Sequence, residues 1–345
     1  MRRLGAPSTL GLVVSAVSLG AVAWWIAHQP APRLPESGVG WAWLALALLL
    51  NACTLALRGR RWHRILVLAG IPHRQRDAYG LTLVGYMGNN VLPARGGELL
   101  KIGLLGPRTS ARRRELLGTV VADRLLDAGV LAAMFAALTF ARVDGAPSGR
   151  GGAAVAAGAL VAAALGLAVY MWLRRRGRFE RFAAAIRPVA RASRLFARPQ
   201  GAPLAALSLL IWLLEGATFL VIARAIGVEL AALAALAVVV LASLAAAIPA
   251  APGYVGTFDA ALLVGLHAAG VESSDAVGVL VLTRFMLFVP VTVAGLATLV
   301  LGYGGLRGAA RPLERTAGDQ QELLAQEPPG ERRREVASSQ RGAGR

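Results

Sequence analysis

The chain has a single cysteine, Cys53, and a single lysine, Lys101. One cysteine excludes a disulfide framework within the chain and a thiolate metal site. The four histidines, His28, His63, His73 and His267, show no metal-ligand spacing. There is no phosphate-cradling P-loop, no GxSxG and no HExxH. The expectation is therefore no catalytic constellation, no metal, no cofactor and no enzyme activity, and any transport runs without ATP hydrolysis. Acidic residues are scarce too: 19 Asp and Glu stand against 37 Lys and Arg, for a net charge of +18.

What the sequence has in excess is apolar residues, 56% of 345, with a mean hydropathy of +0.57. A water-soluble fold of this size cannot bury that much apolar surface, so the chain reads as an all-α polytopic membrane protein. In a soluble protein the charge would point to nucleic acid. Here the arginines cluster between apolar runs and read as loops facing anionic lipid, with no nucleic-acid partner. Arg-rich, Ala-rich usage fits a GC-rich bacterial genome, and the expected location is the bacterial cytoplasmic membrane.

Apolar runs long enough to cross are 8–27, 41–57, 116–140, 152–173, 203–226 and 276–302. The first, behind "MRR", is longer than a signal-peptide core and reads as an uncleaved helix. Residues 58–76 hold six Arg, 93–115 five Arg and Lys101, and 174–198 nine Arg. The positive-inside rule puts all three in the cytoplasm. Residues 178–198 also space Phe179, Phe182, Ile186 and Val189 as a helix lying on the inner leaflet would.

The apolar segment between the first two basic stretches cannot then cross once. Residues 78–106 read instead as a re-entrant hairpin broken at "GNNVLPARGGELLK" (88–101), where Pro93, Gly96 and Gly97 turn the chain. Non-helical backbone at membrane depth survives only when buried in protein or lining a wet cavity, so Asn89, Asn90, Arg95, Glu98 and Lys101 become candidate substrate contacts. The same arithmetic makes 230–269 a second hairpin opening the other way, turned at "PAAPGYVGTFD" by Pro249, Pro252, Gly253 and Gly256.

Each half then reads span, span, hairpin, span, over about 8–140 and 152–302. With six full spans, two re-entrant hairpins and both termini inside, the halves form an inverted repeat, a known transporter design. "GELLKIGLL" echoes "FDAALLVGL", and "TVVADRLLD" echoes "VLVLTRFML", matching Arg124 with Arg284. Residues 1–305 form the membrane domain, and 306–345 read as a disordered, basic cytoplasmic tail.

Asp123, Arg124, Asp127, Glu215 and Arg284 fall inside spans and Asp259 at the second tip. Each would cost roughly 2.5–3.5 kcal/mol unpaired at the bilayer centre. Two readings stay open. In one, Arg124, Asp127, Glu215, Asp259 and Arg284 line a hydrated cavity that binds a headgroup, with arginine forks on phosphate. In the other they are structural pairs, Glu215 with Arg124 or Arg284. Trp24, Trp25, Trp41, Trp43 and Trp62 read as interfacial anchors.

Together "NNVLPARGGELLK", "DRLLD", mid-helix Glu215 and "PAAPGYVGTFDAALLVGL" resemble the flippase-like integral membrane proteins related to the transmembrane region of lysylphosphatidylglycerol synthase, over about residues 8–305. Lys101 stands where that family usually has Arg, Tyr254 where a second Gly is usual, and Asp259 where Glu is usual. The tail 306–345 is expected to hold no counterpart of the synthase's soluble aminoacyl-transfer domain. The resemblance thus implies lipid translocation, not aminoacylation. The cargo would be a modified phosphatidylglycerol or a polyprenyl-phosphate-linked sugar. Expected partners are lipids with anionic or polyprenyl-phosphate headgroups and a second copy of the chain. The alternative is a membrane anchor for a soluble lipid-modifying enzyme or glycosyltransferase.

The topology is open to single-cysteine labelling once Cys53 is replaced. Cysteines at Arg60, Arg112 and Arg176 should react only from the cytoplasm, and at Glu36, Ala146 and Ser273 only from outside. Labelling of position 112 from outside would make the first hairpin a full span.

Overall fold

The computed structural model describes residues 34–92, 96–144, 201–246 and 252–304. The expected helices at 8–27, 152–173 and 178–198 and the tail from 306 lie outside them, as do the turn residues Pro93 and Pro249. The chain divides into two compact units, Met1–Thr298 and Leu299–Arg345.

All regular structure among the described residues is helical: α1 Gly38–Leu68, α2 Gln75–Val91, α3 Gly96–Leu105, α4 Arg113–Phe140, α5 Gly201–Ala225, α6 Ala232–Ala245, α7 Thr257–Ala268 and α8 Ser273–Tyr303. Short 3-10 turns follow α3 and precede α7. Helices α1, α5 and α8 are long and apolar enough to cross a membrane. Helix α4 has the length but carries Asp123, Arg124 and Asp127 within it. This is the make-up of an all-α polytopic membrane protein.

Helices α2, α3, α6 and α7 hold 17, 10, 14 and 12 residues. At 1.5 Å per residue the longest of them reaches about 25 Å, short of a bilayer core of about 30 Å. They pack in pairs, α2 on α3 and α6 on α7, each pair broken where its motif predicts. Helix α5 is central. Its Phe219 and Ala223 join a core with α6, α7 and α8, while Val221 and Ile222 pack on Leu44 and Ala47 of α1. Trp212 packs against Leu131 and Met134 of α4.

The two broken pairs meet. The end of α2 packs on the turn Pro252–Tyr254. The Asn90 amide donates to the Thr292 hydroxyl of α8 at 3.0 Å. In the second break Gly253 and Gly256 take φ of +65° and +95°, where a Cβ would be strained. Tyr254 takes +59° as well, the strain being held by Arg284, described below. Gly96 and Gly97 differ from expectation. They sit inside the first turn of α3, and Gly97 is required by proximity rather than by a turn: a Cβ there would lie 1.9 Å from the Gly85 carbonyl oxygen of α2.

Helix α1 also runs further than the apolar run 41–57. It continues to Leu68 through the basic stretch read as loop. Thr54, Arg58, Arg61, Trp62 and Ile65 are all buried, so they share a face at helical spacing. That face seeds the site.

Gly97→Ala should therefore destabilise the protein by about 1–3 kcal/mol through overpacking, read as a lower melting temperature in detergent. Gly103→Ala is the control: nothing lies within 4 Å of its would-be Cβ, and removing a mid-helix glycine should stabilise by about 0.5–1 kcal/mol. Equal melting of the two variants would contradict the close α2–α3 contact.

Candidate functional site

Four cations from three helices face four carboxylates from three helices. The cations are Arg58 and Arg61 of α1, Lys101 of α3 and Arg124 of α4; the carboxylates are Glu98 of α3, Asp123 and Asp127 of α4 and Glu215 of α5. Within this group the formal charges balance, which is how a charge cluster persists in a low-dielectric setting.

Arg61 is the innermost. Its Nε donates to Asp123 Oδ1 at 2.8 Å, its Nη2 to Asp127 Oδ2 at 2.9 Å, and its Nη1 to Asp127 Oδ1 and to the Ser208 hydroxyl. The fork on Asp127 is bidentate, the strong geometry for a guanidinium and a carboxylate. Asp127 Oδ1 also accepts from the Trp212 indole at 3.1 Å. The i, i+4 spacing of Asp123 and Asp127 brings both to one guanidinium.

Arg58 lies one turn earlier. Its Nη2 reaches Glu215 Oε1 at 2.7 Å, and its guanidinium stands 4.8 Å from the Trp212 ring centroid and 5.4 Å from that of Tyr86, within cation–π range. Glu215 thus pairs with Arg58, not with Arg124 or Arg284. Lys101 is buried with its ammonium 3.9 Å above the Trp62 ring and 3.6 Å from Glu98 Oε2. Trp62 is a core residue here, not an interfacial anchor. Arg124 Nη2 pairs with Glu98 Oε1 at 2.8 Å.

The second hairpin has its own pair. Asp259 sits in the first turn of α7, as Glu98 does in α3, and pairs with Arg284 of α8, as Glu98 pairs with Arg124 of α4. The surroundings differ. Asp259 Oδ2 accepts the Gly256 N–H at 3.0 Å, and Arg284 donates to the Gly253 and Tyr254 carbonyls. The Phe258 and Phe288 rings flank its guanidinium at 4.9 and 4.4 Å. Arg284 thereby holds the left-handed turn at the second tip.

Of the residues singled out in the sequence, Glu98, Lys101, Arg124, Asp127 and Glu215 come together in one cluster. Asp259 and Arg284 form the second pair, and Asn90 lies where the tips meet. Asn89 is buried on α2 beside Gly97, and its side-chain oxygen has no hydrogen-bond partner. Arg95 lies outside the described residues. Sequence reasoning missed Arg58, Arg61, Trp62, Tyr86, Ser208 and Trp212. The signal for the first three was present: extending the α1 periodicity past residue 57 puts them on the buried face. Among the described residues no group of three or more His, Cys, Asp or Glu is placed to hold a metal ion. The arrangement is suited to exchanging ion pairs and to grasping an anion with an arginine fork.

Removing Arg61 alone leaves two buried carboxylates without their closest cation, so Arg61→Met should destabilise the protein by about 3–5 kcal/mol. The triple variant with Asp123→Asn and Asp127→Asn should recover much of that loss. Thermal melting of both in detergent checks it; a triple variant no more stable than the single would count against the mutual pairing.

The family model described as the lysylphosphatidylglycerol synthase TM region matches residues 8–295. A UPF0104 membrane protein of Methanothermobacter thermautotrophicus is 25% identical over 290 residues, covering 74% of this chain and 84% of that protein. No solved structure matches.

Proposed function

The chain belongs to the family of the lysylphosphatidylglycerol synthase transmembrane region, and from that premise we propose that it moves a phosphate-bearing lipid across its membrane. It does so as a flippase-like transporter, not as an enzyme. The cargo class is an anionic lipid such as a modified phosphatidylglycerol or a polyprenyl-phosphate-linked sugar. The two broken helix pairs act as re-entrant hairpins of an inverted repeat with six full spans and both ends inside, and the setting is the bacterial cytoplasmic membrane.

One observation carries this reading. Two helix pairs too short to cross meet at their broken ends, and beside the first lies a charge cluster whose most accessible cation is Arg124. A headgroup passing the tips meets an arginine fork while its acyl chains remain in lipid. Discontinuous helices that meet around a charged midplane site serve the same purpose in other transporters. Arg284 supports the site by fixing the second tip.

Reconstitution in liposomes with fluorescent phosphatidylglycerol and polyprenyl-phosphate sugars tests the proposal. One of these lipids should cross faster than in protein-free vesicles. Arg124→Lys should slow it by about tenfold or more, since an ammonium keeps the charge but loses one charge-assisted hydrogen bond, while melting stays unchanged. Arg284→Lys should lower the melting temperature instead. No movement of any lipid would favour a membrane anchor for a soluble lipid-modifying enzyme.

A further inference from the structure

Tyr86 of α2 stands between two cations of the cluster. Its ring centroid is 5.4 Å from the Arg58 guanidinium of α1 and 5.9 Å from that of Arg124 of α4, within cation–π range of both. The two cations differ in access: the Arg124 side chain is 28% exposed and that of Arg58 is 6% exposed. Tyr86 is itself half-buried, as are Leu83 before it and Asn90 after it, at the spacing of one helix face. That face leads along α2 to Asn90, where the two broken pairs meet. Tyr86, with Arg124 against it, lies one turn of α2 from that meeting point.

The hydroxyl sets Tyr86 apart. Other neutral donors around the cluster are committed: the Trp212 indole to Asp127, the Trp62 indole to Thr119 and the Ser208 hydroxyl to the Leu204 carbonyl. The Tyr86 hydroxyl makes no hydrogen bond with any described residue, and it is not enclosed as the orphaned Asn89 oxygen is. A tyrosine carried this far into a protein ordinarily finds a partner for its hydroxyl. The hydroxyl is also close enough to Arg58, Arg61 and Arg124 to act on each of them electrostatically. Beside cations a phenolic oxygen turns its lone pairs toward the guanidiniums. Its O–H bond then points away from them, toward whatever anion they attract.

Resting on the lipid-translocation reading above, we infer that Tyr86 is a headgroup-binding residue: its hydroxyl donates a hydrogen bond to a phosphate oxygen held by the Arg124 guanidinium. Ring and hydroxyl divide the task. The ring keeps Arg58 and Arg124 in place by cation–π contact. The hydroxyl adds a donor without adding a charge. A phosphate group carries more lone pairs than one guanidinium edge can meet, and those left over are costly away from water. A further cation would meet them at the expense of its own desolvation. A phenol meets them without that expense.

The test titrates dihexanoyl phosphatidylglycerol into the full chain in detergent, followed by calorimetry and by the near-ultraviolet difference spectrum. Donation from a phenol to an anion moves tyrosine absorption to longer wavelength, so the unaltered chain should show that shift as lipid binds. Tyr86→Phe keeps the ring, so melting should be unchanged, while lipid affinity falls about tenfold or more and the shift disappears. A purely structural ring would leave affinity and spectrum unmoved in that variant. Tyr86→Phe binding as tightly as the unaltered chain, or retaining the shift, overturns the contact while leaving translocation intact. The spectrum of the unaltered chain is read even if the variant misfolds, and lipid binding without the shift overturns the contact as well. Absence of lipid binding overturns both. Equal Tyr86-dependent binding of sn-glycerol 3-phosphate or inorganic phosphate supports the contact but assigns the site to soluble phosphate and overturns the lipid reading.

Discussion

Everything in this protein depends on one rule: a charge taken into the membrane must be met by another. Arg61 is the clearest case. It is buried and reaches two aspartates and a serine from two other helices. Apolar side chains gain little by leaving lipid for one another, so helix association in a bilayer relies on close packing and on polar ties. The cluster ties α1, α3, α4 and α5 together, and Asp127 is its hub. The helix that binds the hub's indole partner, α5, is also the one whose apolar faces reach α1, α4, α6, α7 and α8.

The two halves repeat one device with different outcomes. An acid in the first turn of a short helix pairs with an arginine on the long helix that follows. In the second half the arginine is enclosed by phenylalanine rings and backbone carbonyls, and the result is a stabilised left-handed turn. In the first half it stays partly exposed at the rim of a balanced cluster. The geometry is shared and the surroundings diverge: one pair shapes a tip while the other stands at the rim of the charge cluster.

Close packing around the first tip explains its composition. Helix α3 lies so near α2 that only hydrogen fits at Gly97, and the neighbouring Asn89 is buried with it. The amides that look like loop residues in the motif are helix residues, at the end of a helix too short to cross a bilayer core.

Much of this was legible in the sequence. Runs of apolar residues marked the long helices. The arithmetic of arginine-rich segments marked 78–106 and 230–269 as unable to cross once, and both are broken pairs of short helices. Arg124 and Arg284 stood out because ionisable residues in apolar runs are costly, and Glu98 because it lies in the polar motif that breaks the first hairpin. What the sequence could not decide is which charge meets which. Arg58 and Arg61 looked like loop charges because charge counting by segment ignores helix faces. Trp62 looked like an anchor because an aromatic beside arginines is common at interfaces. Glu215 finds Arg58 across 157 residues and Arg61 finds Asp123 across 62. Local pattern, set by the apolar period and the price of membrane charge, determined the helices and their breaks. The partners were decided only when those helices packed, because an ion pair a few ångströms long depends on which faces meet, and no local property of either residue encodes that.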